Sequence, residues 1–292
     1  ASLLVSLGNI GFNYLLIAVF HLGVAGSAYG TVLAQAVALG IIMAFRASGH
    51  TVLRPSAILQ NVTMSGWRRI LALGAPQSLN FIGVALGSSA ILLALQLVNA
   101  PGYAATVTAY GIVTRVLTFA ILPVLGLSQA MQTITGNNHG AGLWQRANAS
   151  LGLAIGGALV FCAAVQAVAT VYAESIGAAF VDDPRVVAEV ATIMPRVVTL
   201  YLLSGPLIMV AAHFQAIGDA PRAAVLGLSK PYIFALPLTF VLPLLFGAQA
   251  IWWVSPAAEA MLAGLAGLVL FQIARRGSLR RGVFGRPQEG FE

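Results

Sequence analysis

The 292-residue sequence carries 15 Lys and Arg against 8 Asp and Glu, so that 8% of its residues are charged while 59% are hydrophobic. A soluble globule carries roughly 25% charged residues, and too few polar groups remain here to coat one. A water-facing globule, a disordered chain and a nucleic-acid binder are thereby excluded, and the lone cysteine, Cys162, excludes an intrachain disulfide scaffold.

A hydrocarbon core of about 30 Å takes roughly 20 apolar residues of helix, and eight such runs occur, at 2–20, 23–45, 70–98, 104–135, 147–173, 190–217, 223–246 and 250–274. They are too long, and apolar on too many sides, for barrel strands. The predicted fold class is all-α, a polytopic membrane protein of eight transmembrane helices. In chain order, the first span holds Asn9 and Asn13, four apart and so on one helix face, and the second holds Thr31. The linker 46–69 is long, and within it Pro55–Trp67 reads as a short helix on the membrane surface. Gln77 and Asn80 lie in the third span and Arg115 in the fourth, which the turn Gly136-Asn137-Asn138 is expected to close. Cys162 and Gln166 fall in the fifth span, the former read as a small packing residue. The linker 174–189 reads as a second long loop; Arg196 then lies in the sixth span. The turn Gly218–Pro221 leads into the seventh span with Lys230 and the eighth with Glu259.

The arginines set an expected orientation. Eleven of them (Arg46, Arg54, Arg68, Arg69, Arg146, Arg222, Arg275, Arg276, Arg280, Arg281 and Arg286) fall in loops or tail on one side, against Arg185 alone on the other. By the positive-inside rule the arginine-rich side, with the C-terminal tail, is cytoplasmic. Four ionisable residues, Arg115, Arg196, Lys230 and Glu259, sit inside spans, where a charge costs about 2.5–3.5 kcal/mol and so calls for a partner or a wet cavity. Arg115, Arg196 and Lys230, with Gln77 and Asn80, are therefore candidates to line a substrate cavity. Enzyme motifs are absent: His21, His50, His139 and His213 lack metal-ligand spacing, and no HExxH, GxSxG or Walker sequence occurs. The sequence predicts neither an enzyme nor a bound metal or organic cofactor.

Specific strings go further. Val107–Leu117 (VTAYGIVTRVL), Gly136–Gly142 (GNNHGAG) and His213–Asp219 (HFQAIGD), with Asn9–Tyr14 (NIGFNY) and Gly23–Thr31 (GVAGSAYGT) near the start, resemble the multidrug and toxic compound extrusion family over essentially the whole chain. That family folds as two six-helix lobes. The resemblance implies that residues 1–48 are the last two helices of the first lobe, 49–69 a cytoplasmic inter-lobe linker, 70–276 a six-helix second lobe and 277–292 a cytoplasmic tail, with four further first-lobe helices as partners. It also implies an antiporter of a bacterial cell inner membrane that exports amphiphilic or cationic organic compounds in exchange for sodium or protons. Asn9, Asn13 and Thr31 match the first-lobe cation site, with Asn13 where some branches carry Asp. The second-lobe acids of the sodium-coupled branch are replaced by Val84-Ala85-Leu86 and Ser204-Gly205-Pro206, which leaves Glu259 as the one deep carboxylate and a candidate for protonation. Gly136, Asn138, Gly140 and Gly142, and Gln215, Gly218 and Asp219, are read as structural turns. A lipid-linked sugar flippase of related fold is the alternative; it calls for more buried cations than Arg115, Arg196 and Lys230 provide. An intramembrane enzyme is weaker still.

Overall fold

The computed structural model describes residues 2–48, 66–98 and 102–276. The expected surface helix at 55–67 lies, but for its last two residues, outside this range, as do the tail 277–292 and most of the turn at 99–102. Two compact units emerge, Ala1–Trp67 and Arg68–Glu292.

In the first unit, α1 (Ser2–Asn13) runs on into a π-helical turn, Tyr14–Val19, and α2 (Gly23–Ala47) folds back along it. His21 and Gly23 both take left-handed backbone angles, φ 53° and 55°, which is what reverses the chain in so few residues. The hairpin is antiparallel: a side chain on Gly8 would meet Ala34, and one on Gly26 would meet the Leu16 carbonyl at 3.0 Å. The buried residues of α2 are Gly26, Gly30, Ala34 and Ala38, a small residue at every fourth position. In a bilayer, where lipid is as apolar as leucine, such a stripe lets two backbones approach closely enough for dispersion and hydrogen bonds to hold them.

The second unit holds α3 (Trp67–Leu97) from Arg68 onward, α4 (Tyr103–Gly140) and α5 (Trp144–Val171). Then come α6 (Ala173–Phe180), α7 (Pro184–Val197) and α8 (Tyr201–Ala216), followed by α9 (Ala220–Leu228), a π-helical turn at Ser229–Ala235 and α10 (Leu236–Phe246). A 3₁₀ turn, Ala248–Trp253, leads into α11 (Val254–Arg276). Helix α8 sits at the centre, its Met209 and Ala212 packing with Val124 and Met131 of α4 and Leu151, Ala158 and Cys162 of α5. Its Val210 and Phe214 pack with Ala223, Leu226, Leu262 and Ala266 of α9 and α11. Close packing demands Gly205 here, since a Cβ would lie 2.8 Å from Cys162 Sγ and 2.9 Å from Ala158 Cβ.

Every predicted span has a helical counterpart, with differences of physical interest. Among the described residues, six helices are long and apolar enough to cross a membrane. The first span is shorter, Val5–Val19, and the sixth is a pair, α7 and α8, bent by 48°. The expected loop 174–189 is largely helical. Asp183 caps α7, its side chain accepting from the Arg185 amide at 2.9 Å with Pro184 in the first turn; an acid followed by proline is a helix start. The bend is spliced by a side chain from α5: Gln166 Nε2 donates to the Thr199 carbonyl at 2.8 Å while its Oε1 accepts from the Leu202 amide at 2.9 Å. One amide thereby supplies both backbone groups with partners that water cannot provide inside lipid.

The turn after the fourth span also differs. Gly136, Asn138 and Gly140 are not turn residues but lie within α4, and the chain reverses at residues 141–143, where Gly142 has φ 72°. Asn138 stays helical by donating its side-chain amide to the Ile134 carbonyl at 2.8 Å, and Gly136 lets α4 approach the Ala216 carbonyl of α8.

Candidate functional site

Two polar clusters stand inside otherwise apolar hairpins, one in each unit. In the first, Asn13 Nδ2 donates to Asn9 Oδ1 at 2.9 Å, Asn9 Nδ2 donates to Thr31 Oγ1 at 2.9 Å, and Thr31 Oγ1 donates to the Ser27 carbonyl at 3.0 Å. The residues of the α1 face and the α2 position singled out by sequence are thus one hydrogen-bonded chain. Its donors all point one way, from Asn13 to the Ser27 carbonyl, and at its head an acceptor is left over: Asn13 Oδ1 is buried and has no partner among the described residues. Gly30 makes room for it, because any Cβ there would collide with Asn13 Oδ1. A buried carbonyl oxygen without a donor costs about 1–3 kcal/mol, so this position favours a cation or a proton donor. Calcium takes six to eight oxygens and magnesium six, and the three side chains alone fall short of either shell.

The second cluster pairs Lys230 with Glu259 by a salt bridge. Lys230 lies in the π-helical turn, where Pro231 has no N–H and the Leu236 amide bonds instead to the Pro231 carbonyl five residues back. The turn is fixed from α3: Tyr232 Oη donates to the Leu79 carbonyl at 2.7 Å, and Gly83 has no Cβ to strike Pro231. Glu259, on α11, keeps 3% of its side-chain surface exposed against 34% for Lys230. One carboxylate oxygen is therefore engaged, while Glu259 Oε1 is buried with no partner among the described residues. Tyr201 Oη, on α8, is buried and likewise without a partner among the described residues.

The other candidates stand apart from these clusters. Arg196, half-buried at the end of α7, donates from Nη1 to Gln249 Oε1 at 2.8 Å. Arg115 on α4 and Gln77 on α3 are exposed, and Asn80 is half-buried. Gln215 is helical, near the end of α8. Gly218, φ 81°, turns the chain, and Asp219 caps α9 by accepting from the Arg222 amide at 3.3 Å while pairing with the Arg222 guanidinium. No group of three or more His, Cys, Asp or Glu is placed to hold a metal ion among the described residues. Sequence reasoning missed Gln166 as a splice; an amide flanked by Ala and Val in an apolar run was the available signal.

Bundled apolar helices with small-residue interfaces and interior polar clusters define a multi-pass membrane protein. The sequence model of the MatE family matches residues 80–241, more than half of the chain, and the chain belongs to that family of membrane transporters. The multidrug export protein MepA of Staphylococcus haemolyticus (strain JCSC1435) is 26% identical over 279 residues, 94% of this chain and 60% of that protein. The solved structure of the MATE multidrug transporter DinF-BH superposes with a TM-score of 0.79 at 26% identity, covering 92% of this chain and 60% of the other. That of the Vibrio cholerae MATE transporter VcmN gives 0.79 at 19% identity, over 94% and 62%, a likeness of fold. The chain spans about 60% of the length of the curated relatives it matches.

Proposed function

We propose that this chain is part of a secondary active transporter that exports amphiphilic or cationic organic compounds in exchange for sodium or protons by alternating access. The observation that carries the reading furthest is the one-way hydrogen-bond chain from Asn13 through Asn9 to Thr31, whose first member leaves Asn13 Oδ1 buried and without a partner among the described residues inside a membrane helix. On this reading Asn13 supplies one oxygen of a coupling site whose remaining ligands lie elsewhere in the whole protein. Glu259, with one free oxygen, serves as a second protonatable group in the other hairpin. The names of the relatives, multidrug export and multidrug transporter, support the substrate class.

The flippase alternative is disfavoured by the interior cations. Lys230 is neutralised by Glu259, Arg196 bonds the Gln249 amide and Arg115 is exposed, so none of the three is a buried cation without a partner for a pyrophosphate. The arginine-rich side, including the tail, is assigned to the cytoplasm by the positive-inside rule. Because a central cavity in this family needs both lobes, the 292 residues expressed alone are expected not to transport.

The test is efflux by the intact gene product in liposomes with Asn13→Ala, Asn9→Ala and Glu259→Gln. Loss of gradient-driven efflux with retained substrate binding in the asparagine variants supports the coupling role. Wild-type coupling in both asparagine variants refutes it, and an unchanged pH profile in Glu259→Gln returns that carboxylate to packing.

A further inference from the structure

The helices α4 and α5 form a hairpin around the turn at 141–143, and two adjoining hollows lie along one of its faces. The larger, about 370 Å³, is lined from α4 by Leu127, Ala130, Met131, Ile134 and Asn138 and from α5 by Arg146, Ser150 and Leu153 among others. The smaller, about 160 Å³, shares Leu127 and continues past Val124 of α4 and Gly157, Ala158 and Phe161 of α5. In an antiparallel pair the register is fixed: Asn138 and Arg146 are together at the turn, and everything beyond Ser150 is apolar. From Asn138 to Pro123 the trough runs 15 residues of helix, about 22 Å at 1.5 Å per residue, more than the ~15 Å hydrocarbon depth of a single leaflet. Small residues (Ala130, Ala154, Gly157 and Ala158) hollow it out.

The polar end has a definite charge. Arg146 is exposed and makes no ion pair among the described residues, and no carboxylate lines either hollow. Trp144, at the same end, packs edge-on against His139 with ring centres 4.6 Å apart, and tryptophan favours the headgroup level of a bilayer. A long apolar trough with one cation and an amide at its headgroup end matches an amphiphile with an anionic head.

We propose that this face of the α4–α5 hairpin binds an anionic glycerophospholipid of the surrounding leaflet, with its phosphate at Arg146 and Asn138 and one acyl chain along the trough from Ile134 to Phe161. None of the residues of the Lys230–Glu259 cluster lines either hollow.

The experiment is native mass spectrometry of the intact gene product titrated with dipalmitoyl phosphatidylglycerol, the same-chain phosphatidylcholine, dihexanoyl phosphatidylglycerol and palmitic acid. A single arginine near the membrane surface gives about a fivefold preference for an anionic headgroup, so phosphatidylglycerol is expected to be retained about fivefold over phosphatidylcholine. That preference should vanish in Arg146→Gln, and Ala130→Phe, which fills the trough at an exposed position, should weaken retention of both long-chain lipids. Equal retention of the two long-chain lipids overturns the headgroup assignment, as does a preference that survives Arg146→Gln. Dihexanoyl phosphatidylglycerol held as well as the dipalmitoyl form overturns the acyl trough and needs no variant to be measured. Palmitic acid bound as tightly as phosphatidylglycerol overturns the phospholipid as occupant.

Discussion

The pair Lys230 and Glu259 makes an asymmetric prediction. Glu259 keeps 3% of its side-chain surface exposed and Lys230 keeps 34%, so removing one partner is not equivalent to removing the other. Lys230→Met leaves a carboxylate sealed in α11 with a second oxygen already partnerless, and stranding a buried charge costs about 3–5 kcal/mol. Glu259→Gln strands an ammonium instead, but one that is a third exposed and on a flexible stem that can carry it toward a polar region, so the loss should be about half as large, roughly 2 kcal/mol. Replacing both, as Lys230→Met with Glu259→Gln, removes desolvation and attraction together and should fall within about 1 kcal/mol of wild type. Thermal unfolding of the detergent-solubilised intact protein, followed by tryptophan fluorescence with Trp252 buried as a reporter, gives the order of midpoints. The expected order is double variant, Glu259→Gln, then Lys230→Met lowest. A double variant as unstable as Lys230→Met, or Glu259→Gln below Lys230→Met, would refute the reasoning, because either result means that the pair is not the buried contact it is taken to be.

Further variants probe the frame that holds the site. Gln166→Leu removes the partners of the Thr199 carbonyl and the Leu202 amide and should cost about 2 kcal/mol, with faster hydrogen exchange at Leu202; unchanged exchange would show the splice to be idle. Gly205→Ala pushes a Cβ against Cys162 and Ala158 and should cost about 1–3 kcal/mol as overpacking, partly relieved by adding Cys162→Ala; a wild-type midpoint would contradict the close α5–α8 approach. Asp219→Ala loses the α9 cap and its contact with Arg222, about 1 kcal/mol, whereas Asp219→Asn keeps the cap and should recover most of it in the same melting experiment.

What sequence conveys here follows from what is local. Hydropathy depends only on consecutive residues, so the spans were legible even though no partner helix was known. The spacing of Asn9 and Asn13 likewise put both on one face of a single helix. Where the expectation missed, neighbours decided. Gly136, Asn137 and Asn138 favour turns in isolation, yet α4 continues through them because Asn138 bonds back to Ile134 and the turn waits for the left-handed Gly142. Pro195 and Pro206 mark the run 190–217 as bendable, but the break at residues 198–200 rests on Gln166, more than thirty residues away, which the run itself does not announce. Lys230 and Glu259 were each legible as buried charges, but 29 residues and a π-helical turn separate them, and their pairing is a property of how α11 packs.

Gradient-driven efflux is the direct test of the central claim that this chain works within a cation-coupled exporter. The intact gene product, reconstituted in liposomes with a panel of cationic dyes, should move dye when a sodium or proton gradient is imposed and stop when the gradient is collapsed. Dye movement indifferent to both gradients, or none with any dye of the panel, would contradict the account.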